Sequence, residues 1–446
     1  MRGALPLSAR VRAIGAGYAA KVAASGVFLA GRDPATLLAE ELAGVPGLEL
    51  EVDREAGEVR ARLAGCERRA SFRPGHGCVL HHPGQDPPPR PELPPRPARP
   101  APERPWPEGE ADPDEAPLPA QARARLAAAL DRAFQEPDPR RPRRTRAVVV
   151  AWRGRLLAEG YAPGFGPESR LGGWSMTKSV TSALCGRLAA QGRLQRERPI
   201  AAPEWAAGDP RAGLSFDTLL RMSSGLRFWE QYWNPFSHVA GMLFAERSVA
   251  AYAASFPLVA APDRRWSYAS GTTNLIARAL REVIGASDYL AYPARELFDR
   301  IGMTSAQLEV DASGHFVGSS FCYATARDWA RFGQLYLQDG VWEGERLLPE
   351  GWVEWTRRPT PGAPQGQYGG HFWLNAGPPG RPARRVYPRL PQDLFLARGF
   401  EEQSVSIIPS RELVVVRLGQ TASSKAWDLQ DLLAGVLDAL PEPGAG

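Results

Sequence analysis

Lysine is almost missing from this chain. Of 54 basic residues in 446, only Lys21, Lys178 and Lys425 are lysines, so the cationic surface is arginine and each lysine needs its own explanation. Cysteine is scarce as well. Four residues, Cys66, Cys78, Cys185 and Cys322, do not make a disulfide framework in a chain this long, and without a CxxC pair they support neither zinc nor dithiol chemistry. Only Cys66 and Cys78 are placed to bridge, and only in an exported protein. The six histidines include no HExxH or paired spacing, so no metal site is expected. No GxxxxGK[ST] is present, which removes the nucleotide-hydrolase signature. No GxSxG elbow surrounds a serine, because Gly173-Trp174-Ser175-Met176-Thr177 lacks the second glycine. Long apolar runs are missing too. Arg10, Arg12 and Lys21 interrupt the N-terminal apolar residues, so neither a signal h-region nor a membrane span is expected.

What is present is the composition of a globular protein, with 43% hydrophobic and 23% charged residues. The net charge of +5 is modest, and the densest basic run, Arg140 to Arg146, sits beside prolines without interleaved aromatics for base stacking. No nucleic acid partner is expected. The length predicts two or three domains. Residues 1–82 read as a small mixed α/β unit: Asp33-Pro34 caps a short helix, and Leu48 to Val52 and Val59 to Leu63 alternate around Glu55-Ala56-Gly57 as a hairpin. Residues 83–119 hold 15 of the 43 prolines and read as a semi-rigid linker.

Residues 120–446 carry the pattern of a packed, enzyme-sized domain. Leu126, Leu130 and Phe134 mark a helix. Ala147 to Trp152 and Arg155 to Tyr161 flank Arg153-Gly154 as a hairpin, and Ser404 to Ile408 with Leu413 to Leu418 form a second strand pair. Leu429, Leu432, Leu433, Val436 and Leu440 mark the last helix. Strands at both ends predict an α+β fold: one antiparallel sheet flanked by helices, with the middle of the domain as a helical insertion.

The chemistry centres on Trp174-Ser175-Met176-Thr177-Lys178. Val180, Leu184 and Leu188 follow at helical spacing, which places Ser175 at a helix N-terminus and Lys178 one turn later on the same face. A serine hydroxyl needs a nearby group to take its proton, and a desolvated lysine has the lowered pKa to do so. The free N–H groups of the helix start favour negative charge beside the serine. A second candidate is Tyr268 in Trp266-Ser267-Tyr268-Ala269-Ser270-Gly271, on the loop before another helical pattern. A tyrosine beside a lysine is expected to be held partly as phenolate and to pass protons. Trp174 and Trp266 are the tryptophans expected to line the cleft.

These pieces resemble the serine β-lactamase and penicillin-binding-protein-like superfamily, and within it the class C-related esterase and 6-aminohexanoate-dimer hydrolase branch. Ser175-Met176-Thr177-Lys178 matches SxxK, Tyr268-Ala269-Ser270 matches Y-x-[NS], and Leu219 to Gly225 matches an LLxMxSG stretch. Leu297-Phe298, Gly302-Met303 and Ala324 to Asp328 follow in the family's order. The resemblance implies a β-lactamase-like fold, an acyl-enzyme on Ser175, proton transfer by Lys178 and Tyr268, support from Ser270, and no cofactor. It also implies an oxyanion hole from the backbone N–H groups of Ser175 and Gln403. The third motif departs: where the family has K-T-G, or H-x-G followed by Gln, this chain has Gly399-Phe400-Glu401-Glu402-Gln403. Phe400 replaces the basic residue that meets a substrate carboxylate, and Glu402 replaces a glycine at the cleft, with its charge expected near the developing oxyanion.

The expected function is a serine hydrolase acting on a small amide or ester. Two alternatives stand beside it: a penicillin-recognising D,D-peptidase or β-lactamase, and a catalytically impaired binding or scaffold protein of the same fold. The compartment expected from the chain as given is cytoplasmic; the resemblance implies a periplasmic or membrane-anchored protein if an upstream segment is missing.

Overall fold

In a computed structural model the described residues are 8–82, 84, 87–89, 91–97, 101–111 and 118–442; parts of the proline-rich stretch lie outside them. The first element, α1 (Ala9–Phe28), opens at Ser8, whose side chain accepts from the Val11 N–H. It has no polar stripe: from Ala19 to Val27 every residue is buried, because one side meets a sheet and the other meets the main body. A helix covered all round has no amphipathic period to read. Asp33 caps α2 (Pro34–Ala39). The expected hairpin forms as β1 (Leu48–Asp53) and β2 (Glu58–Leu63), with Val52 opposite Val59. It continues into β3 (Cys66–Arg73) and β4 (Gly77–Leu80), which complete a four-stranded antiparallel meander. All four cysteines are free thiols.

This unit is fastened to the rest of the chain by a buried ion pair. Lys21 Nζ lies 2.7 Å from Glu309 Oε2, with the two side chains 3% and 0% exposed. Glu309 also accepts from the Cys78 N–H at 2.6 Å and from Ser25 Oγ at 3.0 Å. Lys21 further sits 4.6 Å above the Phe321 ring. Within the proline-rich stretch, Trp106 is buried, and Arg331 donates to the carbonyls of Pro107 at 2.9 Å and Gly109 at 2.6 Å. Prolines leave carbonyls without a helix to pair them, and here a buried arginine takes them.

The body of the chain is built on a six-stranded sheet. Its strands are β5 (Thr145–Trp152), β6 (Arg155–Tyr161), β7 (Trp373–Leu374), β8 (Phe395–Gly399), β9 (Gln403–Ile408) and β10 (Leu413–Gly419), in the spatial order β7-β8-β9-β10-β5-β6, all antiparallel. The two ends of the domain meet where β10 pairs with β5, Val416 opposite Val149. Strand alternation then divides the core. Val148, Val150 and Val415 face one layer with α3 (Ala120–Phe134) and α7 (Leu429–Leu437). Val149, Val414 and Val416 face the other, with α4 (Thr177–Ala190), α5 (Ser270–Ile284) and α6 (Ala326–Leu337). The fold is α+β, with the mainly helical segment inserted between β6 and β7, as the sequence predicts.

Candidate active site

Two short strands bring the chain to its turning point. Gly172 pairs with Tyr323, and the Gly173 N–H donates to the Cys322 carbonyl at 2.8 Å. The backbone then reverses at Trp174, whose φ of 46° is left-handed and costly for a bulky residue. The residue before it has no room for a side chain: a Cβ on Gly173 would lie 2.4 Å from the Trp329 ring. Thr177 Oγ1 closes the turn by donating to the Trp174 carbonyl at 2.7 Å, and α4 starts. Ser175 therefore sits in the tight turn at the head of α4, with Lys178 one turn on.

The two side chains touch. Lys178 Nζ donates to Ser175 Oγ at 2.8 Å, to Ser270 Oγ at 2.9 Å and to the Ser319 carbonyl at 3.0 Å. Lys178 is 1% exposed and Ser175 6%. Burial brings the ammonium down to about 8, with Glu230 pulling the other way. The amine is thus partly neutral near physiological pH while held against the serine.

Ser270 is the first residue of α5 and links Lys178 to a carboxylate. Its Oγ donates to Glu230 Oε1 at 2.5 Å, and its N–H donates to Glu230 Oε2 at 2.8 Å. Burial pushes the Glu230 carboxyl up, opposed by the Lys178 charge and these bonds. Tyr232, two residues on, lies 3.5 Å from Ser270 Oγ through its hydroxyl. Neither Glu230 nor Tyr232 is marked by any motif. Their one signal is a glutamate set among aromatics in Phe228-Trp229-Glu230-Gln231-Tyr232-Trp233.

Tyr268 comes in from the loop before α5 and turns its ring to Lys178, whose Nζ is 4.9 Å from the ring centroid. Burial pushes its phenol well up, and neighbouring Tyr368, Glu230 and Tyr232 add to the effect, with the Ser175 hydroxyl opposing it. A standing phenolate, expected from the sequence, is therefore disfavoured, chiefly because the buried ring lacks water to solvate the charge. The phenol is a protonated partner. His371 is structural, its Nδ1 2.6 Å from the Leu220 carbonyl and its Nε2 2.9 Å from Thr273 Oγ1.

The third motif forms a tight turn between β8 and β9. Gly399 pairs with Gln403, and a Cβ on Gly399 would lie 2.1 Å from the Gly173 carbonyl. That glycine lets the strand end abut the turn preceding Ser175. The Gln403 side chain points away and binds both backbone groups of Gly419, at 2.5 and 2.8 Å, leaving only its backbone for a ligand. Glu402 does not project its charge freely. Both its oxygens are held by Arg398 Nη2, at 2.9 and 2.7 Å.

Aromatic rings flank the serine on two sides. Phe400 stacks on Tyr232 at 4.7 Å and meets Trp233 at 4.9 Å and Trp174 edge-on at 5.4 Å. Trp266 packs against Tyr368 at 5.8 Å, and Tyr268 against Trp373 at 5.2 Å. The Trp266 indole N–H is buried without a hydrogen-bond partner. Among the described residues no group of three histidine, cysteine or carboxylate side chains is placed to hold a metal ion, and no helix is long and apolar enough to cross a membrane.

The sequence profile of the family described as Beta-lactamase matches residues 124–436. A 6-aminohexanoate-dimer hydrolase of Paenarthrobacter ureafaciens is 26% identical over 316 residues, covering 66% of this chain and 77% of that protein. Among solved structures, a putative 6-aminohexanoate-dimer hydrolase from Bacillus anthracis superposes with a TM-score of 0.53 at 20% identity, over 70% of this chain and 80% of that one. A family VIII carboxylesterase gives a TM-score of 0.56 at 14% identity, over 74% and 99%. The structural likenesses are likenesses of fold.

Proposed function

The chain belongs to the beta-lactamase family and is a serine hydrolase, and from that premise we propose that it cleaves a small amide or ester through an acyl-enzyme on Ser175. The observation that carries the reading is the 2.8 Å contact between Lys178 Nζ and Ser175 Oγ, made by an amine that burial brings down to about 8. Neutral Lys178 takes the hydroxyl proton as Oγ attacks the substrate carbonyl carbon. The resulting oxyanion is held by the backbone N–H groups of Ser175 and Gln403. Collapse breaks the bond to the leaving alcohol or amine, which takes a proton from Lys178 through Ser270 and Tyr268. Water then attacks the acyl-enzyme, with Lys178 again taking the proton, and Ser175 is restored. Glu230 supports the cycle by holding Ser270 and favouring the ammonium that each attack creates.

The walls point to the substrate class. Phe400 stands where the family places a cation, and Arg398 is already paired with Glu402, so a substrate carboxylate finds no free partner there. An apolar or neutral acyl group against Trp174, Tyr232 and Phe400 suits the site. This weighs against a penicillin-recognising enzyme, whose ligands carry that carboxylate. The relative from Paenarthrobacter is named for an amide dimer, which supports amides beside esters. Intact mass after incubation with a fluorophosphonate probe tests the reading without a substrate guess. The expected result is one adduct on the wild type and none on Ser175→Ala, with Lys178→Ala labelled far more slowly. An unlabelled wild type would instead support the impaired scaffold.

A further inference from the structure

Glu401 occupies the middle of the Phe400–Glu402 turn and faces away from the serine. Its backbone is left-handed, φ 62° and ψ 27°, and Glu402 beside it has φ 65°. Two consecutive non-glycine residues in this region are strained and persist only where the surroundings hold them. The hold on Glu401 is visible. Its carbonyl accepts from Arg417 Nη1 at 3.1 Å, from the Thr421 N–H at 3.3 Å and from Gln403 Nε2 at 3.4 Å. Its carboxyl is buried and accepts from Gln420 Nε2 at 3.1 Å, and the Trp174 side chain lines the same cavity.

That carboxyl points into a cavity of about 50 Å³ shared with the N-terminal unit, lined by Tyr18, Glu41, Arg146, Trp174 and Gln403 among others. Every element around it brings charge or a titratable group. The N-terminal unit supplies Tyr18, Arg32, Glu40 and Glu41; β5 supplies Arg146; Arg170 lies ahead of the serine turn; β10 supplies Arg417. Arg146 is engaged by Glu40 at 2.6 Å and Glu41 at 2.7 Å, and Arg32 by the same two carboxylates. Glu41 Oε2 has no hydrogen-bond partner. Burial, with Glu41 adding like charge, pushes Glu401 up to about 7.

We propose that Glu401 is a positioning residue: seated between the N-terminal unit and Trp174, its carboxyl holds the Phe400–Glu402 turn in register with Ser175, which makes the N-terminal unit part of the framework of the active site. The inference rests on the acyl-enzyme reading, with the Gln403 N–H as an oxyanion donor. Trp174 immediately precedes the nucleophile, its side chain packs against the N-terminal unit's core, and the turn that presents Gln403 meets the same indole through Phe400 at 5.4 Å and shares its cavity through Glu401. Both oxyanion donors therefore neighbour one indole, on whose cavity the Glu401 carboxyl also opens.

The experiment uses the full chain and p-nitrophenyl butyrate. Misplacing an oxyanion donor weakens transition-state binding alone. Glu401→Ala is therefore expected to lower kcat by about 100-fold with KM changed less than about threefold, while Ser175 still takes one fluorophosphonate adduct. Glu401→Gln keeps the volume and an acceptor for Gln420 and is expected to recover most of the loss. Glu41→Gln is expected to change kcat in the wild-type background and to leave it unchanged in Glu401→Ala. Wild-type kcat in Glu401→Ala overturns the proposal, as does an equal loss in Glu401→Gln, or a Glu41→Gln effect that is absent or additive. An active, labelled wild type in those cases leaves the acyl-enzyme reading standing, whereas an unlabelled wild type overturns both.

Discussion

Removing the charge of Glu230 should move the working pH of the enzyme, and the direction follows from the geometry. Lys178 and Glu230 share Ser270 Oγ, at 2.9 and 2.5 Å, which keeps ammonium and carboxylate within roughly 5 Å of each other. At an effective dielectric of about 20, unit charges at that separation attract by about 3 kcal/mol, worth about two pKa units. Glu230 is only partly buried, so solvent screening cuts the effect to about one unit. Burial alone depresses the Lys178 ammonium, and Glu230 is what brings it back to about 8. In Glu230→Gln the ammonium loses that support and its pKa falls, so the free amine is available at lower pH. The acid limb of kcat/KM for p-nitrophenyl butyrate, expected near pH 8 in the wild type, should shift down by about one unit in the variant. The plateau should drop only modestly, since a weaker base takes the proton less well. A limb that stays in place or moves up would refute the assignment of Lys178 as the base, because no other partner of its ammonium carries the compensating charge.

Three further outcomes follow. Gly399→Ala places a methyl group 2.1 Å from the Gly173 carbonyl, and is expected to cost about 2 kcal/mol or more in urea unfolding and about 100-fold in esterase rate. Glu402→Gly is expected to leave the esterase rate within about threefold of wild type, because Arg398 already neutralises the carboxylate; a large gain would show that the charge reaches the oxyanion. Phe400→Arg is expected to improve kcat/KM for an ester bearing an acyl-side carboxylate relative to its uncharged counterpart, measured as the ratio of the two.

The parts of the fold and site that were readable share one property: their signal is local. The valine-rich pairs β5–β6 and β9–β10 alternate or run apolar within eight residues, and Ser175 and Lys178 stand one helical turn apart. What escaped was set by packing at a distance. The helix α1 carries no stripe because it is covered on both sides. Glu230 and Tyr232 lie on an irregular loop more than fifty residues after Ser175 and reach it only because α5 brings Ser270 between them. Trp106 looks like linker by composition, yet its indole N–H donates to the Arg327 carbonyl and Arg331 donates to the Pro107 carbonyl beside it. Tyr268 was readable by position but not by protonation: its loop is legible, whereas the crowd of Tyr368, Tyr232 and Glu230 around its hydroxyl is assembled by the fold. Glu402 shows the same limit, since Arg398 four residues earlier faces it only because of the left-handed turn.

The buried pair of Lys21 and Glu309 sets how this protein can be cut. Glu309 is fully enclosed, and its cation comes from a helix more than 280 residues away in sequence. A fragment that begins after the proline-rich stretch keeps the whole family-matching region but loses Lys21, Ser25 and the Cys78 N–H together, and so turns the interior around Glu309 into surface. It also uncovers the packed face of Trp174. Any engineered boundary, fusion or permutation is therefore better drawn to carry the first eighty residues along with the serine, because a tether between the two regions lies in the interior as well as in the peptide chain that joins them.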